Sequence, residues 1–116
     1  MKGIILFYKP KTYKSLTRFN QKLFGRLSKK RYGTKVYVYY VKGLLHSTKF
    51  IRIIDGKYFI ETNNVFTDEI IKDLSEFCDI SITNEERDID ELMMKTGEEY
   101  WTTMAKEKGV LLNGRK

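Results

Sequence analysis

Residues 50–61 read Phe50-Ile51-Arg52-Ile53-Ile54-Asp55-Gly56-Lys57-Tyr58-Phe59-Ile60-Glu61. Two runs rich in β-branched and aromatic residues flank an Asp-Gly pair, the strongest short-range signal for a β-hairpin. The pattern predicts strands over Phe50–Ile54 and Lys57–Glu61, with both turn residues at φ > 0. An isolated hairpin is at best marginally stable in water, so it needs partners. The segment Gly3 to Lys9 is continuously apolar up to Lys9 and is closed by Pro10, the only proline. An apolar run on both faces predicts a central strand. Lys35 to Val41, with Val36, Tyr37, Val38, Tyr39, Tyr40 and Val41 in succession, reads as another strand. Asp79 to Thr83 reads as a short one through Ile80 and Ile82.

Helical periodicity fills the gaps between strands. Tyr13, Leu16, Phe19, Leu23, Phe24 and Leu27 share one face at about 100° per residue, which predicts a helix from Thr12 to Leu27. Thr12 or Ser15 is its expected N-cap. Thr67, followed by Asp68 and Glu69, predicts the start of a second helix that buries Ile70, Ile71, Leu74 and Phe77. Glu85 to Lys108 is helical in composition, with Gly97 dividing it and Gly109 as the residue past its end. The order β-α-β-β-β-α-β-α predicts an α+β fold. Its core is a small mixed or antiparallel sheet with helices packed on one face, a variant of the ferredoxin-like split βαβ. Residues 1–109 are expected to form a single domain, and 110–116 an apolar-headed C-terminal tail.

Composition supports a folded chain. Eight Tyr, seven Phe and one Trp in 116 residues argue against disorder. The single cysteine, Cys78, has no internal disulfide partner and is expected to be a buried free thiol. One basic residue, Lys2, precedes an apolar run from Ile4 to Tyr8 that is too short for a signal-peptide core or a membrane span. The expectation is a cytoplasmic protein that does not engage a membrane.

Charge is divided unevenly. Residues 1–58 carry fifteen Lys or Arg against one acid, Asp55, whereas residues 59–116 carry seven against fourteen acids. Asymmetry of this kind points to a polyanionic partner. On the predicted first helix, Lys14, Arg18, Lys22 and Arg26 recur every four residues and form a ridge opposite the apolar face. Like charges at that spacing repel one another, and an anion reverses the cost. Lys9 and Lys11 precede the ridge. The segment Gly25 to Gly33, with Ser28, Lys29, Lys30, Arg31 and Tyr32, is expected to be a flexible basic loop that wraps a phosphate backbone. Aromatics interleave with cations from Tyr32 and Lys35 onward. Single-stranded nucleic-acid binders combine sheet aromatics that stack on bases with cations that hold the backbone. Tyr32 and one of Tyr37, Tyr39 or Tyr40 are the candidates for exposure.

Other chemistry is poorly supported. The chain has no P-loop order and no glycine-aromatic signature of an RRM. His46 is its only histidine, and no Cys-x-x-Cys is present, so no metal or cofactor is expected. A metal-independent ribonuclease using Arg31, Tyr32, His46 and Arg52 is the one enzyme class to weigh. Tyr100, Trp101, Leu111 and Leu112 could anchor a protein contact through the acidic half. The reading is a non-enzymatic nucleic-acid-binding protein, RNA slightly ahead of DNA, acting as an accessory component of a larger nucleoprotein complex. A protein–protein adaptor with two opposite charged faces is the alternative.

Overall fold

A computed structural model describes residues 2–61 and 64–108, together with the backbone of 112–115. Its first strand, β1 (Lys2–Pro10), is central, and the reason lies in its two apolar faces. Ile4, Leu6 and Tyr8 point into the main core, while Ile5 points the other way and packs with Phe59 and Met94. The remaining elements are α1 (Tyr13–Phe24), β2 (Arg26–Tyr32), β3 (Lys35–Val41), β4 (Phe50–Ile54), β5 (Lys57–Ile60), α2 (Asp68–Ser75), β6 (Cys78–Glu86), α3 (Gly97–Glu107) and β7 (Leu112–Arg115). A single 3₁₀ turn covers Glu91–Met93.

The fold is α+β, as its alternation of patterns predicts. One sheet has the order β4-β5-β1-β6, and each neighbouring pair is antiparallel. With the β2–β3 hairpin set aside, the chain order from β1 to β6 is β-α-β-β-α-β, and β1 lies between the two strands that α2 connects. That is the split βαβ arrangement. Phe19, Leu23 and Phe24 of α1 and Leu74 of α2 share a core with Ile4, Leu6 and Tyr8, so both helices cover one face. The opposite face is smaller and is closed by Ile51, Ile53, Ile89 and Met94 around Phe59.

A second sheet has the order β2-β3-β7. It contains the largest departures from the sequence expectations. The helix predicted to reach Leu27 stops at Phe24, and Arg26 therefore leaves the ridge and opens β2. The cause is a dense set of donors at the helix end. A helix leaves its last four carbonyls without internal partners. Here Gly25 N–H donates to Gln21, Leu44 N–H to Lys22 and Leu45 N–H to Leu23, each at 2.9 Å. The Phe24 carbonyl accepts from Trp101 Nε1–H at 3.0 Å and from the Tyr40 hydroxyl at 3.4 Å. Gly25 caps the first from the next residue, and the other three are satisfied by chain returning from elsewhere, which a local reading cannot see.

The expected loop over Gly25–Gly33 is instead mostly strand. It pairs with β3 in unbroken antiparallel register from Arg26–Val41 to Tyr32–Lys35. The two-residue turn places Gly33 at φ +62, as a II′ turn requires of its first central residue. At the other hairpin only Gly56 has positive φ (+78), not Asp55. A register shift between Arg52 and Ile54 accommodates that turn. The helix predicted over Glu85–Lys108 begins only at Gly97, with Thr96 Oγ1 capping Glu99 N–H at 3.1 Å. Its first residues extend β6, because nine-residue β1 is paired along its whole length, down to Lys2–Glu86. Edge strands tolerate such charge. Past β6, the Asp90 carboxylate caps the 3₁₀ turn at Leu92 N–H, 3.0 Å away. The backbone of β7 joins β3 in parallel. Gly109 and Leu111, assigned above to the helix end and to a protein contact, lie outside the described residues.

Candidate nucleic-acid interface

In a strand, alternate residues face opposite ways, and residues paired across a ladder share a face. This rule sorts the β2–β3 ribbon. One face carries Leu27, Lys29 and Arg31 with Val36, Val38 and Tyr40. Its inner end is buried, with Tyr40 only 1% exposed. The other face carries Arg26, Ser28, Lys30 and Tyr32 on β2, opposite Val41, Tyr39, Tyr37 and Lys35 on β3. Three cations and three tyrosines therefore alternate on one surface. Tyr32 is 59% exposed, and its ring meets Tyr37 edge-on at 5.6 Å. The Lys30 ammonium lies 6.0 Å from the Tyr32 ring centre. Tyr37 and Tyr39 are half-buried, as is Ser28. Every residue from Lys29 to Val36 is exposed.

The helix ridge is shorter than its spacing predicts. Lys14, Arg18 and Lys22 remain on α1 and are exposed, whereas Arg26 belongs to the ribbon. Lys22 lays its ammonium 5.3 Å from the Phe77 ring centre. Lys9 is paired with Asp79 across the β1–β6 ladder, and Lys11 N–H donates to the Phe77 carbonyl. Both side chains are exposed. Among the described residues, ion pairs join Lys49 to Glu91, Arg52 to Asp55 and Arg87 to Glu85. Of these, only Lys49–Glu91 crosses between the basic and acidic halves, and none uses a cation of α1.

A cleft of about 710 Å³ opens at the root of the ribbon. Its walls come from three separated segments: Thr17, Asn20, Gln21 and Phe24 of α1 with Arg26 at the start of β2; Phe50, Ile51, Arg52 and Tyr58 of the β4–β5 hairpin; and Met93, Lys95, Tyr100 and Trp101. Phe24 lies 5.0 Å from both Phe50 and Tyr58, ring centre to ring centre. Tyr100 meets Trp101 edge-on at 5.2 Å and remains 39% exposed. Tyr100 and Trp101, read from sequence as a protein contact, thus stand in a cleft wall, with the indole N–H engaged by Phe24. Leu112 contributes backbone to β7. Sequence reasoning missed Asn20, Gln21, Tyr58 and Lys95, because nothing local shows that they converge. Burial pushes the Tyr58 phenol above its ordinary value, so it stays neutral at ordinary pH.

The four residues weighed for a ribonuclease fall in different places. His46 lines a separate depression with Ser47, Glu98, Glu99, Thr102 and Thr103, Arg52 lines the cleft, and Arg31 and Tyr32 sit near the ribbon tip. Among the described residues no cluster of His, Cys, Asp or Glu is placed to hold a metal ion. Cys78 is fully buried, and burial raises its thiol above the usual range. No helix among the described residues is long and apolar enough to cross a membrane. Comparison of the chain with protein-family models, with curated proteins and with solved structures yields no match.

Proposed function

We propose that the protein is a non-enzymatic, cytoplasmic nucleic-acid-binding protein, with single-stranded RNA its favoured ligand over DNA, and an accessory component of a larger nucleoprotein complex. One observation carries the reading. The open face of the β2–β3 ribbon alternates Arg26, Lys30 and Lys35 with Tyr32, Tyr37 and Tyr39. Cations spaced along a strand match a phosphate backbone, and tyrosines between them offer π-faces to bases without regard to sequence. Lys14, Arg18 and Lys22 on α1 extend the positive surface.

The test is titration of fluorescently labelled single-stranded RNA and DNA over a range of salt. Binding is expected to weaken steeply with salt. Replacing Arg26, Lys30 and Lys35 by alanine removes three phosphate contacts and lowers the log–log salt slope by about 2, at about 0.7 per contact for single strands. An unchanged slope and affinity in that variant would sink the proposal.

A further inference from the structure

We propose that the cleft at the root of the ribbon binds a single nucleotide. Its base lies unstacked against Phe24, Tyr58 and Tyr100, and its phosphate lies at Arg26 and Arg52. The inference deepens the nucleic-acid reading and rests on it for where the nucleotide comes from.

The lining chemistry selects this ligand class. A volume of about 710 Å³ lies within the roughly 300–1,000 Å³ of small-ligand sites. The lining holds a cluster of rings, Phe24 with Phe50 and Tyr58 at 5.0 Å each, and Tyr100 adds an accessible ring beside Trp101. Aromatic walls take a planar π-system, not an aliphatic chain of equal volume, because stacking adds to burial. Asn20 and Gln21 supply amide groups, which both donate and accept as a base edge does. Arg26, Arg52 and Lys95 are the charged members of the lining, and none of its side chains is a carboxylate. The ligand should therefore be anionic as well as planar. The guanidinium of Arg52 is held by Asp55 at 3.0 Å, but that pair is exposed, and exposed pairs contribute little. A phosphate can share it.

Position supplies the second argument. Arg26 belongs both to the cleft lining and to the cation-tyrosine face of the ribbon. From Tyr32 to Arg26 the strand spans about 20 Å at 3.4 Å per residue. A nucleic-acid strand laid along that face from Tyr32 reaches the cleft mouth at its end. A duplex keeps its bases stacked and cannot enter, so the cleft discriminates in favour of single strands.

Trp101 is the only tryptophan and lines the cleft, so its emission reports occupancy directly. The probes are AMP, GMP, CMP and UMP, ribose 5-phosphate as a baseless control, a single-stranded octanucleotide and a blunt duplex of the same sequence. A saturable change in emission is expected with nucleotides and with the single strand, but not with ribose 5-phosphate or duplex. Tyr100→Ala should weaken it fivefold or more, roughly the loss of one base–aromatic stack. Arg52→Gln, at an exposed position, provides a second variant that should weaken it while circular dichroism stays native. A response to mononucleotides alone identifies free nucleotide as the source, and a response to the strand alone identifies nucleic acid. Labelled octanucleotide that binds by anisotropy while Trp101 emission stays unchanged with every probe overturns the cleft site and leaves the ribbon reading intact. Mononucleotide quenching without octanucleotide binding does the reverse.

Discussion

Two hairpins in this chain begin from the same local rule and end in different roles. β2–β3 and β4–β5 are each joined by two residues, one of them a glycine at positive φ. In β4–β5 the strands are apolar and go inward: Phe50, Phe59 and Ile60 are buried and the turn touches β1, with Tyr8 N–H donating to the Gly56 carbonyl at 2.8 Å. In β2–β3 a Cβ at the turn glycine, Gly33, would meet no atom within 4 Å, and the stretch from Lys29 to Val36, with Lys29, Lys30, Arg31 and Lys35, is exposed throughout. Turn chemistry makes a hairpin, but side-chain chemistry decides whether it becomes core or contact surface. A ribbon with little to gain from burial and many like charges is stable as surface only because its root is pinned, through Val38, Tyr40 and the capped end of α1.

The comparison predicts opposite responses to the same kind of change. The largest difference should come from truncating an aromatic or aliphatic side chain. Phe59→Ala deletes a fully buried ring and should cost about 3–5 kcal/mol by denaturant unfolding. Val36→Ala on the half-exposed ribbon should stay within about 1 kcal/mol, and equal losses would break the distinction. Next come the glycines. Gly33→Ala meets no atom within 4 Å, so its cost is conformational, about 1–2 kcal/mol. Gly56→Ala pays that cost and also drives its Cβ to 2.7 Å from the Tyr8 carbonyl oxygen, so its unfolding midpoint should fall further.

A smaller effect is alkaline. Burial holds the phenols of Tyr8 and Tyr58 above their ordinary value of 10.0, each beside the other. The folded state therefore keeps protons that the unfolded state has released, so this contribution is complete below about pH 10 and lost as pH rises beyond it. Denaturant midpoints measured from pH 8 to 11 should drop above 10. Tyr8→Phe, which gives up a long bond to Asn20 (3.4 Å), should lessen the drop. A midpoint that is flat across the range would remove the buried-phenol account.

What could be read from the sequence follows the same division. Elements whose burial is written in their own residues were legible: β1 from two apolar faces, the β4–β5 hairpin from Asp55-Gly56, and α2 from Thr67, whose hydroxyl caps Ile70 N–H at 3.3 Å. Elements defined by a partner were not. Arg26 to Tyr32 looks like a solvated basic loop, and only its ladder to Lys35–Val41 makes it a strand. α1 ends where Leu44, Leu45 and Trp101 arrive to cap it, up to 77 residues away along the chain. Half of the candidate site was foreseen, in that the basic residues and Tyr32 were named. Their division between a helix ridge and a ribbon face was not, and the cleft requires three distant segments to meet.

The smallest expected change in stability carries the central claim. The triple variant Arg26→Ala, Lys30→Ala, Lys35→Ala alters a surface and should leave the unfolding midpoint nearly unchanged, since such substitutions typically fall within about 0.5 kcal/mol. A matched control, Lys72→Ala, Lys106→Ala, Lys108→Ala, removes equal charge from exposed positions in the acidic half. The deciding measurement is the affinity of both variants for one single-stranded RNA at one salt concentration. The ribbon variant should lose about tenfold or more while the control stays within twofold of wild type, because the contacts lie on one face. Equal losses in the two would mean that binding follows net charge alone, and the ribbon would not be the interface.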